Sequence, residues 1–135
     1  MQLTRAADYG VRVMIHMAGL DTGARVRLAG LAHAADASPA FLSKVMQQLV
    51  RAGLVSSHRG KCGGFSLLKR ETSLLEIISA LNGVPPLNDC LRTDDPCRRR
   101  AWCGAHVVWL EAQRQLCAVL ASATLDSLAR TTVPR

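Results

Sequence analysis

Tyr9, Val13 and Met17 recur four residues apart behind Thr4, a good capping residue, and predict an amphipathic helix over about 5–20. The pattern breaks in the Gly19–Gly23 region. Leu28, Leu31, Ala32 and Ala35 then predict a short second helix, and Asp36-Ala37 a tight connection. Ser38-Pro39 restarts a helix well, because serine caps the first turn and proline at the first helical position loses no hydrogen bond. This third helix should run to Ala52, with Gly53 ending it. Leu42, Val45, Met46 and Leu49 form its apolar stripe, and Ser43, Lys44, Gln47, Gln48 and Arg51 its polar face.

Residues 54–57 and 65–68 read as two strands joined by the glycine-rich turn His58-Arg59-Gly60-Lys61-Cys62-Gly63-Gly64. Ser73-Leu74-Leu75-Glu76 fits a capping box and opens a helix through Ile77, Ile78 and Leu81, which Asn82-Gly83 ends before Pro85 and Pro86. Residues 87–102 show neither helical nor strand period. A last helix is expected from about 103 to 128. Trp109, Leu110, Leu116, Val119, Leu120, Leu125 and Leu128 give it more apolar surface than a lone terminal helix keeps wet, so it needs a partner, either its own domain or a second chain. No internal repeat or low-complexity segment interrupts this order.

With 135 residues and 49% hydrophobic content, the chain is long enough for one core. The expected class is mainly α with a small β-hairpin: a winged helix-turn-helix domain over 1–83, a cysteine-containing loop over 84–106, a long helix over 103–128 and a flexible tail over 129–135. No run of 18 apolar residues and no signal architecture is present, so no membrane association and a cytoplasmic location are expected. In that reducing compartment five cysteines point to metal ligands, redox groups or small core residues before a disulfide framework.

The net charge of +7 is unevenly placed. Residues 1–70 carry ten Lys/Arg against three Asp, a net of +7, whereas residues 71–135 carry seven against seven. A helix-turn-helix followed by a basic hairpin, holding the whole excess, implies a DNA-binding module whose third helix enters the major groove. Ser38, Pro39, Ala40, Ser43, Lys44, Gln47 and Arg51 on that segment, with Arg59 and Lys61 on the hairpin tip, are the candidate contacts. Arg59 suits the negative potential of a minor groove, and Gly60, Gly63 and Gly64 would let the backbone approach it.

Cys90, Cys97 and Cys103 lie in the irregular loop, with six and five residues between them. That spacing is wide enough for three thiolates to surround an inorganic cluster, and His106, three positions after Cys103 on the same helical face, is the candidate fourth ligand. Arg98, Arg99 and Arg100 would favour thiolates there. Structural zinc and a reversible disulfide are the competing readings of the same loop. Cys117, amid apolar residues, reads as a core side chain; Cys62 lies on the exposed turn. No nucleophile–base–orienter series and no CxxC pair is present, so no enzymatic activity is expected.

Several segments resemble the winged-helix iron–sulfur transcription regulators that include IscR and NsrR. They are Met1-Gln2-Leu3-Thr4 with Asp8-Tyr9-Gly10-Val11-Arg12, the Ser38–Leu54 recognition segment, the turn Arg59-Gly60-Lys61-Cys62-Gly63-Gly64-Phe65, and the three-cysteine loop. The resemblance implies a homodimer joined through the C-terminal helices and a palindromic operator. It implies a transcription regulator, expected to act as a repressor, whose iron–sulfur cluster sets DNA affinity in response to redox state, nitric oxide or iron–sulfur supply. Cys103-Gly104-Ala105-His106 is similar to the pattern with a histidine ligand and a two-iron cluster. Asp8 resembles the position that supplies a carboxylate from the partner subunit in four-iron members. The six-residue interval after Cys90 and a cysteine at position 62 depart from the family pattern. The alternative is a zinc-stabilised or thiol-based winged-helix regulator with no cluster.

Overall fold

Six helices and one hairpin follow one another as α1 (Arg5–Ala18), α2 (Leu28–Ala35), α3 (Pro39–Arg51), β1 (Val55–His58), β2 (Gly64–Leu67), α4 (Leu74–Asn82), α5 (Gly104–Ser122) and α6 (Leu125–Thr131). These come from a computed structural model that describes residues 2–94 and 97–132. The expected mainly helical class with a β-hairpin wing is therefore found. β1 and β2 pair antiparallel, with Val55 opposite Leu67 and His58 opposite Gly64.

Local chemistry sets most of the boundaries. Thr4 caps α1 by accepting a hydrogen bond from the Ala7 amide, and Ser38 caps α3 by accepting one from Phe41. α1 buries Ala7, Val13, Met14 and Met17 against Leu42, Val45, Met46 and Leu49 of α3 and against Ile77 and Leu81 of α4. The face of α3 that fills this core is the one its apolar spacing predicts, which leaves the opposite face to solvent.

The capping box of α4 is complete. The Ser73 backbone N–H donates to Glu76 Oε2 at 2.7 Å, its hydroxyl donates to the same oxygen at 2.9 Å, and the Glu76 amide donates back to Ser73 Oγ at 3.3 Å. The Ser73 backbone N–H first, and its hydroxyl second, hold the Glu76 carboxyl below the usual range. A depressed carboxylate contributes stability that is present above its unfolded pKa and is lost as pH falls through the folded one. Thermal melts of the wild type and Glu76→Gln should therefore differ at pH 7 and converge only as pH falls through the lowered folded value, beneath the ordinary glutamate range; a gap that persists or widens in acid would contradict the assignment. Ser73→Ala should cost about 1 kcal/mol at neutral pH.

The C-terminal part differs from expectation. The helix expected over 103–128 is divided: Ala123 (φ −86°, ψ 101°) and Thr124 (φ −92°, ψ 155°) are extended, and α6 begins afterwards. The break lets the chain pair with the segment before α4. Leu74 N–H donates to Ala123 O, Leu125 N–H to Thr72 O, and Asp126 N–H to Arg70 O, at 2.9–3.0 Å. Residues 129–131, expected in a flexible tail, are helical because Leu125 is fully buried in the main core and draws α6 onto α1. Residues 133–135 of that expected tail lie outside the described residues. Arg70 reinforces the seat, donating to the carbonyls of Ala18 and Leu20 at the end of α1 and lying 3.5 Å from Asp126 of α6.

α5 packs on α4 but contributes no residue to this core. Among its described side chains only His106 is buried, while Val107, Val108, Trp109, Leu110 and Val119 are exposed. No described helix is long and apolar enough to cross a membrane.

Candidate nucleic-acid interface and cysteine loop

The α2–α3 connection turns on Asp36, whose left-handed backbone (φ 53°) ends α2. A short polar side chain tolerates that conformation better than a branched one. Pro39 then fixes the first turn of α3, and burial of its apolar face settles which side chains remain outside. Ser38, Pro39, Ala40, Lys44, Gln47 and Arg51 are exposed and Ser43 is half-buried. The beginning of α3 is held against α1 by an edge-to-face contact of Phe41 with Tyr9, with ring centroids 5.5 Å apart. The Arg5 guanidinium lies 5.7 Å from the Phe41 ring, and that of Arg12 lies 5.2 Å from Tyr9. Arg5 extends the cationic surface of α3 onto α1, whereas the charge of Arg12 is paired with Asp8.

The hairpin carries Arg59 and Lys61 exposed at its tip. His58 Nε2 lies 2.8 Å from Ser66 Oγ across the strands, stiffening the base of the tip. Sequence reasoning reserved its glycines for DNA, but two have a reason inside the fold. A Cβ on Gly64 (φ 133°) would stand 2.5 Å from the Val26 carbonyl oxygen, and one on Gly63 would stand 2.7 Å from that of Gly60. Gly64 must be bare because Val26 pairs with Phe65 there, exchanging backbone hydrogen bonds of 2.9 and 2.8 Å.

That pairing reveals residues the sequence reading did not assign. Residues 25–27 lie along β2 as a one-bridge edge, Arg25 donates to the Cys62 carbonyl at 3.2 Å, and Arg27 donates to the Lys61 carbonyl at 2.5 Å. The signal was present as Arg-Val-Arg, polar–apolar–polar, but three residues are too few to stand out as a strand.

In the cysteine loop, Cys90 sits in a single 3₁₀ turn, Asp89–Leu91, capped by Asn88. The Leu87 amide donates to Gln113 Oε1 at 2.8 Å, tying the loop to α5, and Arg92 pairs with Asp94. After Cys97 the backbone coils, with Arg100 N–H donating to the Cys97 carbonyl and Cys103 N–H to that of Arg99. Cys103 is the N-cap of α5. Cys97 is exposed, Cys90 and Cys103 are half-buried, and all are free thiols.

Among the described residues no three His, Cys, Asp or Glu side chains are gathered as a metal site, so Cys90, Cys97, Cys103 and His106 are not brought into one ligand set. His106 nonetheless has the character of an unfilled ligand. It is 8% exposed, and its Nδ1 is buried with no hydrogen-bond partner among the described residues. A buried ring nitrogen without a partner is costly, and a loop with three thiols followed by an imidazole in the first turn of α5 has the soft donor chemistry that iron–sulfur centres use. Asp8 lies in the first turn of α1, where its carboxylate pairs with Arg12 at 2.8 Å. Cys117 is half-buried on α5 beside Gln113 Nε2, at 3.7 Å, and Cys62 is exposed at the wing tip.

A family model described as Rrf2, an iron-dependent transcriptional regulator, matches residues 3–131. The fold is similar to that of CymR (YrzC), the global cysteine regulator of B. subtilis, with a TM-score of 0.80 and 27% identity over 98% of this chain and 99% of that one. It is also similar to the oxidized form of Staphylococcus aureus CymR, with a TM-score of 0.75 and 25% identity over 99% and 100% of the two chains. T. potens IscR matches with a TM-score of 0.75 and 24% identity over 100% and 94%, a likeness of fold.

Proposed function

The chain belongs to the Rrf2 family of transcriptional regulators, and from that premise we propose that it is a homodimeric repressor that binds a palindromic operator and adjusts its affinity through the cysteine loop. The observation that carries the DNA-binding part is the outward face of α3, with Lys44, Gln47 and Arg51 exposed, followed directly by a wing with Arg59 and Lys61 exposed. Such donors serve phosphates and base edges alike. On this reading residues 1–83 form the reading head, 84–106 the sensing loop, and the exposed apolar face of α5, within the helix expected over 103–128, the dimer contact. α6, seated on α1 through the buried Leu125, joins the reading head.

The regulatory part of the proposal is an iron–sulfur centre held by Cys90, Cys97, Cys103 and His106, in preference to Asp8 of the partner subunit, and a two-iron centre in preference to a four-iron one. Support comes from the thiol spacing, the partnerless Nδ1 of His106 and the iron-dependent description of the family. The engagement of Asp8 with Arg12 favours His106. Such a centre, when bound, supplies a one-electron couple and iron–thiolate bonds that oxidants and nitric oxide attack. The chain's own part is to anchor the loop to α5 through Leu87 and Gln113 and to carry α5 into α6, which is seated on α1. A ligand that favours one loop arrangement then biases the spacing of two reading heads, whose half-sites lie about 34 Å apart.

A second reading has its own support: the likeness to a global cysteine regulator at 27% identity, together with an exposed Cys97, suits a thiol-based regulator, or a zinc-stabilised one, without a cluster. Anaerobic purification separates them. Brown protein with acid-labile sulfide supports the cluster; colourless protein that switches with peroxide and dithiothreitol supports the thiols; colourless protein with bound zinc and no switching supports the structural metal. Operator titrations on loaded, unloaded and Cys97→Ala protein should differ by about 5- to 150-fold, the usual range of coupling between sites. Equal affinity in all three would remove the sensing role and leave DNA binding standing.

A further inference from the structure

We propose that the segment 25–27 is a third element of the wing and a DNA phosphate-binding edge, with Arg25 and Arg27 gripping the backbone beside the groove that the hairpin tip enters. The inference rests on the DNA-binding reading and names a part of that interface which neither the family match nor the sequence motifs assign.

Backbone geometry comes first. Val26 pairs antiparallel with Phe65, so residues 25–27 run along the edge of β2. In an extended segment alternate side chains take opposite faces. Val26 is half-buried against the core, and Arg25 and Arg27 are exposed on the other side. From there each reaches the tip: Arg25 Nη1 to the Cys62 carbonyl and Arg27 Nη2 to the Lys61 carbonyl. The pairing is built in, because the bare Gly64 is what lets Val26 come this close.

Charge comes second. A guanidinium carries five N–H donors in a rigid fork, and one hydrogen bond to a carbonyl uses one of them and neutralises none of the charge. Neither Arg25 nor Arg27 forms an ion pair among the described residues. The main-chain anchors therefore hold two full charges next to Arg59 and Lys61, and no acidic residue occurs in the sequence between Asp36 and Glu71. Four cations about one small loop repel one another, and a polyanion relieves that repulsion. Arginines braced on carbonyls with spare donors match phosphate oxygens, and their pre-set position lowers the ordering cost of binding.

Salt dependence reads phosphate contacts directly, since each one lost reduces the slope of log K against log salt by about 0.9. Fluorescence anisotropy of the full chain with a random-sequence 30-bp duplex, between roughly 50 and 200 mM salt, is the measurement. In a dimer the Arg25→Gln/Arg27→Gln variant loses four such groups, so the slope should fall by about 3–4 and affinity at 0.1 M salt by tenfold or more. Arg25→Lys/Arg27→Lys keeps the charges and should stay within about one unit of the wild-type slope. If the double glutamine variant melts far below the wild type, Arg25→Gln alone, which leaves the Arg27 anchor, should still lose about 1.8. A folded glutamine variant with the wild-type slope overturns the proposal and reduces both arginines to wing braces. Wild-type protein with no salt-sensitive binding to this duplex would instead overturn the DNA-binding reading on which the proposal stands.

Discussion

Lys44→Ala combined with Arg59→Ala should lower operator affinity by about a thousandfold at fixed salt. Each side chain is exposed, one on the outward face of α3 and the other at the wing tip, so neither substitution removes packing from the core. A charged contact to DNA is worth about 1–3 kcal/mol, and a dimer loses each contact twice, so four lost contacts amount to roughly 4 kcal/mol even at the lower end. The single variants should fail differently. A lysine on phosphate weakens all sequences alike and reduces the salt slope, whereas an arginine in a minor groove also relaxes sequence preference where that groove is narrow. Anisotropy titrations against a selected operator and a scrambled duplex check both points. A loss of less than threefold in the double variant would mean that the outward face of α3 and the wing are not the reading surface.

Leu125→Ala should lower the melting temperature by roughly 10–15 °C. Leu125 is fully buried in the main core, to which α5 contributes no residue, and α6 packs on α1. Truncating such a leucine costs about 2–5 kcal/mol, because the cavity adds to the lost transfer energy. In a chain of this size each kcal/mol moves the midpoint by about 3–5 °C. Differential scanning calorimetry at matched protein concentration holds any contribution of self-association constant. A shift under about 3 °C would mean that α6 is a loosely attached tail and could not hold α5 against the reading head. That outcome would also cut the route proposed from the cysteine loop to α1.

The contrast between α3 and α6 shows what could be read in advance. α3 announces itself three times over, in the Ser38-Pro39 start, in the spacing of Leu42, Val45, Met46 and Leu49, and in Gly53 after its end; each signal operates within one or two turns. Thr124 also caps α6 with its side chain, accepting from the Ser127 amide. Yet Ala-Thr-Leu continues the apolar run of α5 without a glycine or proline, and only the pairing of Ala123 and Thr124 with residues 72–74 opens the helix there. The four candidate ligands were legible by type and spacing. Whether they converge was not, because convergence depends on how an irregular loop folds, which carries no period, and the described residues do not gather them.

Local pattern was enough to specify the helix-turn-helix, the hairpin, the capping box of α4, the concentration of positive charge in the first seventy residues and the placement of three thiols in one segment with His106 in the first turn of the helix that follows. These follow from interactions between near neighbours, where side-chain period and capping chemistry leave few alternatives. Long-range packing was needed to show that Arg25 and Arg27 belong to the wing, that Gly64 is bare for the sake of Val26, and that Leu125 closes the core under an Arg70 clasp. The wing contacts and the Arg70 clasp join residues about 35 to 55 positions apart, and Leu125 meets α1 from more than a hundred positions away, and which of many distant surfaces meet is set by the burial of the whole apolar face at once, a property no short window of residues contains.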